Sequence, residues 1–391
     1  MYLKSRLKSK SNKFKLVLLF IVLLGCTGRN EVDKNSVISK SQITADTMKY
    51  AKSFEIETYD NFKIVKVKNP WQGVKNVEFK YLLIDKGKTA PKNIDAQIVR
   101  LPIERIICLS TTHVALINEL GKVEKIIGIS GAKYVSNPII QKKIANNEVF
   151  DIGYESSLNY ELITALKPDL VITYGITGEI AGYNHKLQEL GITTVVNAEY
   201  LESSPLGKTE WIKFMGSFLG CEELANNKFN EIEREYNNLK QKVYNVNNKP
   251  TVLSSLPWKD VWYIPGGDSF QAQLINDAGG NYLWKNNDSH ESVPLSIETV
   301  FSKAQSADIW INTGSADSKK QILGVDERFV NFKSFKQNQI FNNNKKLNIN
   351  GGNDYWEIGI VQPQIILKDL IKIFHPELLP NYESKYYTHL K

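Results

Sequence analysis

The stretch EELANNKFNEIEREYNNLKQKVY, residues 222–244, contains neither glycine nor proline. Apolar or aromatic residues fall at 225, 229, 232, 236, 239 and 243. Steps of four and three put all six on one helical face. At about 1.5 Å per residue, such a helix is roughly 35 Å long. The patterns on either side of it then decide what kind of fold can contain a rod of that length.

Before the rod, from Arg105, short apolar runs alternate with amphipathic ones: RIICLS, HVALINELG, IIGIS, NYELITAL, DLVITYG, HKLQELG and ITTVVNA. After the rod the alternation restarts with PTVLSSL, SFQAQLINDAGG, IETVFSKAQ and ADIWINTG. Strand–helix alternation predicts parallel strands covered by helices. PDLVITYG (168–175) and ADIWINTG (307–314) echo each other: each has an aspartate, an apolar strand and a glycine, with a helix before it. The expected fold is therefore α/β, with two Rossmann-like lobes built on parallel sheets and joined by one long helix. The lobes span residues 105–221 and 246–391, and the helix 222–245. Residues 50–104 read as a small β appendage, in which SFEIETY and FKIVKV flank a tight turn at Asp60–Asn61. A cleft between lobes, where the carboxyl ends of both sheets meet, is where such folds bind ligands.

The first 25 residues carry six Lys or Arg, no acidic residue and the apolar run Leu16–Leu24. They read as an export signal, too short to span a bilayer, followed by a polar tether over 26–49. Removing six positive charges takes the formal net charge from +7 to about +1. The basicity belongs to the signal, and nothing in the mature chain calls for nucleic acid. LLGC, ending at Cys26, resembles the lipobox of bacterial lipoproteins. That resemblance implies an acylated Cys26 and a protein anchored to the membrane, facing the periplasm or cell exterior. Cys108 and Cys221 read equally as a pair or as two free thiols.

RIICLSTTHVALINELG, DIGYESSLNYELITALKPDLVITYGITGE, the 222–244 helix, LINDAGG and LSIETVFSKAQSADIWINTG together resemble the substrate-binding lipoproteins of bacterial ABC importers. The resemblance covers residues 105–375, and its class captures ferric siderophores, haem or cobalamin. It implies a monomeric receptor with no enzymatic activity and no cofactor, which hands its ligand to membrane permease subunits. In that family a glutamate on the rim of each lobe pairs with permease arginines. The matching motif positions are Glu179 and Glu298. Exposed rim charges of this kind set register and association rate more than affinity.

Loops after the strands should line the cleft, and they are rich in aromatics and glycines. The candidate ligand contacts are Thr111, Thr112, His113, Lys133, Tyr134, Tyr154 and Tyr174 in the first lobe. In the second they are Trp258, Trp262, Tyr355 and Trp356. Aromatic faces supply area for a large flat ligand. The five histidines are too dispersed for a bare metal ion, which needs several converging ligands. After Cys26 the arginines are only 29, 100, 105, 234 and 328. Highly anionic chelates usually need guanidinium forks, so the composition tilts towards a neutral or weakly charged chelate, a haem or a corrinoid. The rival reading is a lipid-anchored serine hydrolase using Ser269 in GGDSF. It lacks an Asp-x-x-His partner, because Asn287 and Lys372 stand three residues before His290 and His375. A helix N-cap explains the same string without chemistry.

Overall fold

The computed structural model describes residues 44–46, 48–154, 157–175 and 180–391. The chain enters through a five-stranded sheet of β1 (Thr44–Asp46), β2 (Phe54–Thr58), β3 (Lys63–Lys68), β4 (Glu78–Asp85) and β5 (Gln97–Leu101), in that spatial order. The first four strands pair antiparallel and β5 joins β4 in parallel. The sheet begins at Thr44, inside the segment assigned from sequence to the tether, because residues 44–46 pair with Ile56–Thr58. The β2–β3 turn closes at Asp60–Asn61, where the Tyr59 amide donates to the Phe62 carbonyl at 3.0 Å.

The first lobe is built from β6 (Ile106–Cys108), α1 (Thr111–Glu119), β7 (Ile126–Ile129), α2 (Pro138–Ala145) and β8 (Phe150–Asp151). It continues through α3 (Tyr160–Leu166), β9 (Leu170–Thr173), α4 (Ile180–Glu189), β10 (Thr194–Val196) and α5 (Pro205–Leu219). Its five strands are parallel, in the order β10-β9-β6-β7-β8. The winding reverses between β6 and β9, and in open α/β sheets such a switch point opens a crevice.

The rod follows at once as α6 (Glu222–Lys242), after Gly220 ends α5 in the left-handed conformation at φ 63°. It is one unbroken helix. Ala225, Phe229, Ile232, Tyr236, Leu239 and Val243, the predicted stripe, are all buried.

The second lobe comprises β11 (Thr251–Ser254), β12 (Val261–Pro265), α7 (Phe270–Asp277), β13 (Asn281–Tyr282), β14 (Ser292–Ser296) and α8 (Ile297–Ala304). After these come β15 (Ile309–Ile311), α9 (Lys319–Val325), α10 (Lys333–Lys336), β16 (Ile340–Asn342), α11 (Ile358–Val361), α12 (Pro363–Phe374) and β17 (Thr388–His389). The sheet runs β13-β11-β15-β16-β17, parallel except for its β17 edge, with the switch between β11 and β15. β12 and β14 form a separate antiparallel ribbon.

The internal echo has a structural cause. Asp169, just before β9, accepts the Glu104 and Arg105 amides at 2.9 and 3.0 Å. Asp308, just before β15, accepts the Thr251 amide and hydroxyl, each at 2.7 Å. Each aspartate ties the start of its own strand to the start of the neighbour across the switch point. Burial opposes the charge of both, but the amide bonds with Lys86 for Asp169, and Lys333 with Thr251 for Asp308, hold both carboxyls below their usual range.

The lobes are joined a second time besides the rod. Glu357 of the second lobe accepts the Ser136 and Asn137 amides at 2.6 and 3.0 Å, at the start of α2 in the first. Asn348 donates to the Lys133 and Val135 carbonyls, each at 3.0 Å. The two backbones pass so closely that a methyl group on Gly352 would lie 1.9 Å from the Tyr134 oxygen, so only glycine fits there. Gln362 of the second lobe also donates to Glu119 of the first.

Candidate functional site

Where the two switch points face each other there is an open cavity of about 880 Å³. The first lobe contributes Thr111 and Thr112 at the start of α1, Tyr174 after β9, and the Glu199–Ser203 segment with Lys208 of α5. The second contributes Ser255 after β11, Tyr263 and Pro265 of β12, the start of α7 at Ser269–Gln271, His290–Ser292 and Trp356. The β appendage supplies a third wall with Ser53 and the Asn69–Gly73 turn. Trp71, Tyr174, Tyr200, Tyr263, Phe270 and Trp356 make the lining strongly aromatic.

Of the eleven residues singled out from sequence, Thr111, Thr112, Tyr174 and Trp356 line this cavity. His113 does not. It is 1% exposed, its ring lies edge-on to Tyr174 at 6.0 Å, and burial, opposed by a backbone hydrogen bond to Ile172, pushes it down to about 3. It is a neutral core imidazole. Trp262 is fully buried against Trp310 and Phe329, and Tyr355 is enclosed by Tyr386 and Tyr387. Alternation along β12 places Tyr263 and not Trp262 at the cavity, and in the turn before α11 it is Trp356 and not Tyr355 that reaches it. Lys133, Tyr134 and Tyr154 form a separate ledge after β7 and β8, with the tyrosine rings 6.4 Å apart and the Lys133 ammonium 5.0 Å from the Tyr134 ring. Trp258 is 67% exposed and outside the lining.

The floor was not anticipated from sequence. Lys208 is buried there and spends its ammonium on the Glu199 and Tyr200 carbonyls at 3.1 and 2.8 Å, with the Glu199 carboxylate at 3.6 Å. Desolvation depresses its pKa, and Glu199 and Glu202 partly offset this. Glu202 is also committed: its carboxylate accepts the Lys52 and Ser53 amides and the Trp211 indole N–H. Two carboxylates against one ammonium leave the floor negative, Glu291 adds a further carboxylate, and among the described residues no arginine lines the cavity. The first turns of α1 and α7 line the same space at Thr111–Thr112 and Ser269–Gln271, and the amino end of a helix suits carbonyl or amide acceptors on a ligand.

Ser269 lines the cavity, but as the N-cap of α7: its hydroxyl accepts from the Ala272 amide at 3.3 Å. The nearby His290 imidazole faces the Asp268 carbonyl at 3.3 Å and not the serine. Gly266 and Gly267 are explained by packing, since a methyl group at either would lie 2.1–2.2 Å from the carbonyl oxygens of Ser289 and Asn287. The arrangement therefore does not favour the hydrolase reading. Among the described residues no His, Cys, Asp and Glu gather to hold a metal ion, and no helix is long and apolar enough to cross a membrane. Cys108 and Cys221 are separate free thiols. Glu298 sits in the first turn of α8 with its side chain 71% exposed, 3.4 Å from Arg328. Glu179 and Cys26 lie outside the described residues.

Residues 106–346 match the model of a family described as periplasmic binding proteins. The chain is 26% identical to an uncharacterized lipoprotein of Methanocaldococcus jannaschii, over 95% of this chain and 94% of that one. Its fold is similar to that of a periplasmic heme-binding protein from Roseiflexus, with a TM-score of 0.54 at 22% identity, covering 71% of this chain and 100% of the other. A second similar structure is Helicobacter pylori CeuE with a nickel–histidine complex, with a TM-score of 0.56 at 16% identity, covering 73% and 87% of the two chains. Two Rossmann-like lobes, an unbroken rod and a cavity at the facing switch points agree with that match over more than half of the chain: this protein belongs to the periplasmic binding protein family.

Proposed function

We propose that the protein is the solute receptor of an ABC import system, held at the membrane by a lipid on Cys26, and that its ligand is a bulky metal chelate. The observation that carries this reading is the open aromatic cavity of about 880 Å³ between the lobes. Its volume suits a drug-sized or larger guest. Its electrostatics narrow the class. A negative floor, an engaged Lys208 and the lack of an arginine among the described lining residues disfavour tricatecholates and the propionates of haem. They favour a neutral or cationic chelate rich in carbonyl or amide groups, such as a corrinoid or a hydroxamate–iron complex.

The chain performs no chemistry on the ligand. The exposed Glu298, together with Glu179, pairs with permease arginines, and their geometry matters more for docking than for capture. Equilibrium titration of the mature protein with cyanocobalamin, ferrioxamine B, hemin and ferric enterobactin, read by tryptophan fluorescence, tests the assignment. The expected result is saturable binding of cyanocobalamin or ferrioxamine B and none of ferric enterobactin. Binding of none of the four, or tightest binding of ferric enterobactin, would overturn it.

A further inference from the structure

The β appendage precedes the span matched to the family, yet it reaches the cavity with Ser53, Asn69, Trp71, Gln72 and Gly73. We infer that the Asn69–Gly73 turn is a fixed specificity wall, which meets one face of the chelate with the Trp71 indole and the Gln72 amide. This inference rests on the receptor reading above and adds to it the residues that choose among chelates.

The wall is held before any ligand arrives. Glu210 of α5, itself fully buried, accepts the Lys49, Tyr50 and Ala51 amides at 3.0, 2.7 and 2.9 Å. Glu202 takes the next two amides, Lys52 and Ser53, each at 3.0 Å. Two carboxylates of the first lobe thus grip five successive backbone N–H groups of the appendage. Charge-assisted bonds of this kind are stronger than neutral ones. The Val196 amide of β10 donates to the Tyr81 hydroxyl at 2.9 Å, and Phe54 packs 4.7 Å from Trp211.

The turn itself is closed by the Asn69 amide on the Val77 carbonyl at 2.7 Å. It takes left-handed residues at both ends, Asn69 at φ 47° and Gly73 at φ 73°. Trp71 leans on Phe79, 6.3 Å away, and rests on the same small first-lobe core that supports Tyr174. An indole fixed in this way offers a flat face at little entropic cost. Gln72, exposed beside it, offers one donor group and one acceptor without charge. A neutral wall over a negative floor selects a ligand by the shape and polarity of its rim.

The test uses the mature chain with Trp71→Ala, Trp71→Phe and Gln72→Ala. Ile98→Ala, an exposed residue of the same sheet outside the cavity, serves as control. Each protein is titrated with the four probes above. Trp71→Ala should weaken the best-bound probe by roughly tenfold or more, as for a central aromatic contact. Gln72→Ala should change the order of preference among the probes, and Ile98→Ala should match the wild type. If Trp71→Ala does not fold, Trp71→Phe and Gln72→Ala still decide, since neither removes a core side chain. Unchanged affinities and order in all cavity variants, with the wild type binding a probe, would overturn the wall alone. A wild type that binds no probe would overturn the receptor reading, and the wall with it.

Discussion

Asp169 in the first lobe and Asp308 in the second do the same work at the foot of two sheets, each tying neighbouring strands across a switch point. Around the mouth of the cleft the lobes have nothing of this likeness. The first borrows its outer wall from the β appendage at Trp71–Gly73, whereas the second grows its own from the β12–β14 ribbon, with Tyr263 and Ser292. The repeated part of the fold sets where a cavity forms. The unrepeated parts set what the cavity prefers. Fold and specificity therefore sit in different stretches of chain.

The largest expected effect tests whether the appendage is integral to the first lobe. Glu210→Ala would strand three backbone N–H groups, at about 1–3 kcal/mol each when buried, and should cost about 4 kcal/mol in chemical denaturation. A loss below about 1 kcal/mol would make the appendage a loose accessory.

Next, Asp169→Ala and Asp308→Ala should each cost about 1–2 kcal/mol, and by similar amounts, if the lobes are equivalent at their base. Both carboxyls are held below their ordinary range, so their contribution should be complete above about pH 4 and fall away as acid protonates them. Unequal losses would break the symmetry.

The interlobe clasp should behave in the opposite sense. Burial pushes Glu357 up to about 7, aided by nearby Asp354 and opposed by the Ser136 and Asn137 amides. A raised carboxyl pKa favours the folded state at low pH, and that advantage is lost as pH rises through about 7. Between about pH 4.5 and 7 the wild type should lose stability relative to Glu357→Gln, by about 3 kcal/mol at most. A flat difference across that window would contradict the assignment.

The smallest effect belongs to Glu298. Its exposed carboxylate beside Arg328 should change stability by less than about 0.5 kcal/mol on truncation. Ligand affinity should be unchanged, while uptake driven by the permease falls, most severely when Glu179→Ala is added.

The sequence made the rod, the alternation and the two aspartate-led strands legible, because each depends on local periodicity. Cavity membership was harder, because it turns on a single residue of phase. Trp262 and Tyr263 are adjacent in β12, yet one is fully buried and the other lines the cavity. Tyr355 and Trp356 divide in the same way. The third wall left no local signal. Its place depends on Glu202 and Glu210, which lie about 150 residues away in the chain, gripping the amides of Lys49–Ser53.

A rod tied to both halves and a clasp between them imply a cavity shaped in advance. Midway along α6, Glu233 accepts the Tyr50 hydroxyl of the appendage at 2.6 Å, and one turn further on the Tyr236 hydroxyl donates to Asp277 of the second lobe at 2.7 Å. Small-angle scattering of the mature protein, free and saturated with its tightest-binding chelate, measures this directly. Nearly superimposable profiles are expected, since no hinge needs to close. A marked compaction on loading would mean that the lobes swing together around the guest, and that the cleft is not a preformed receptor site.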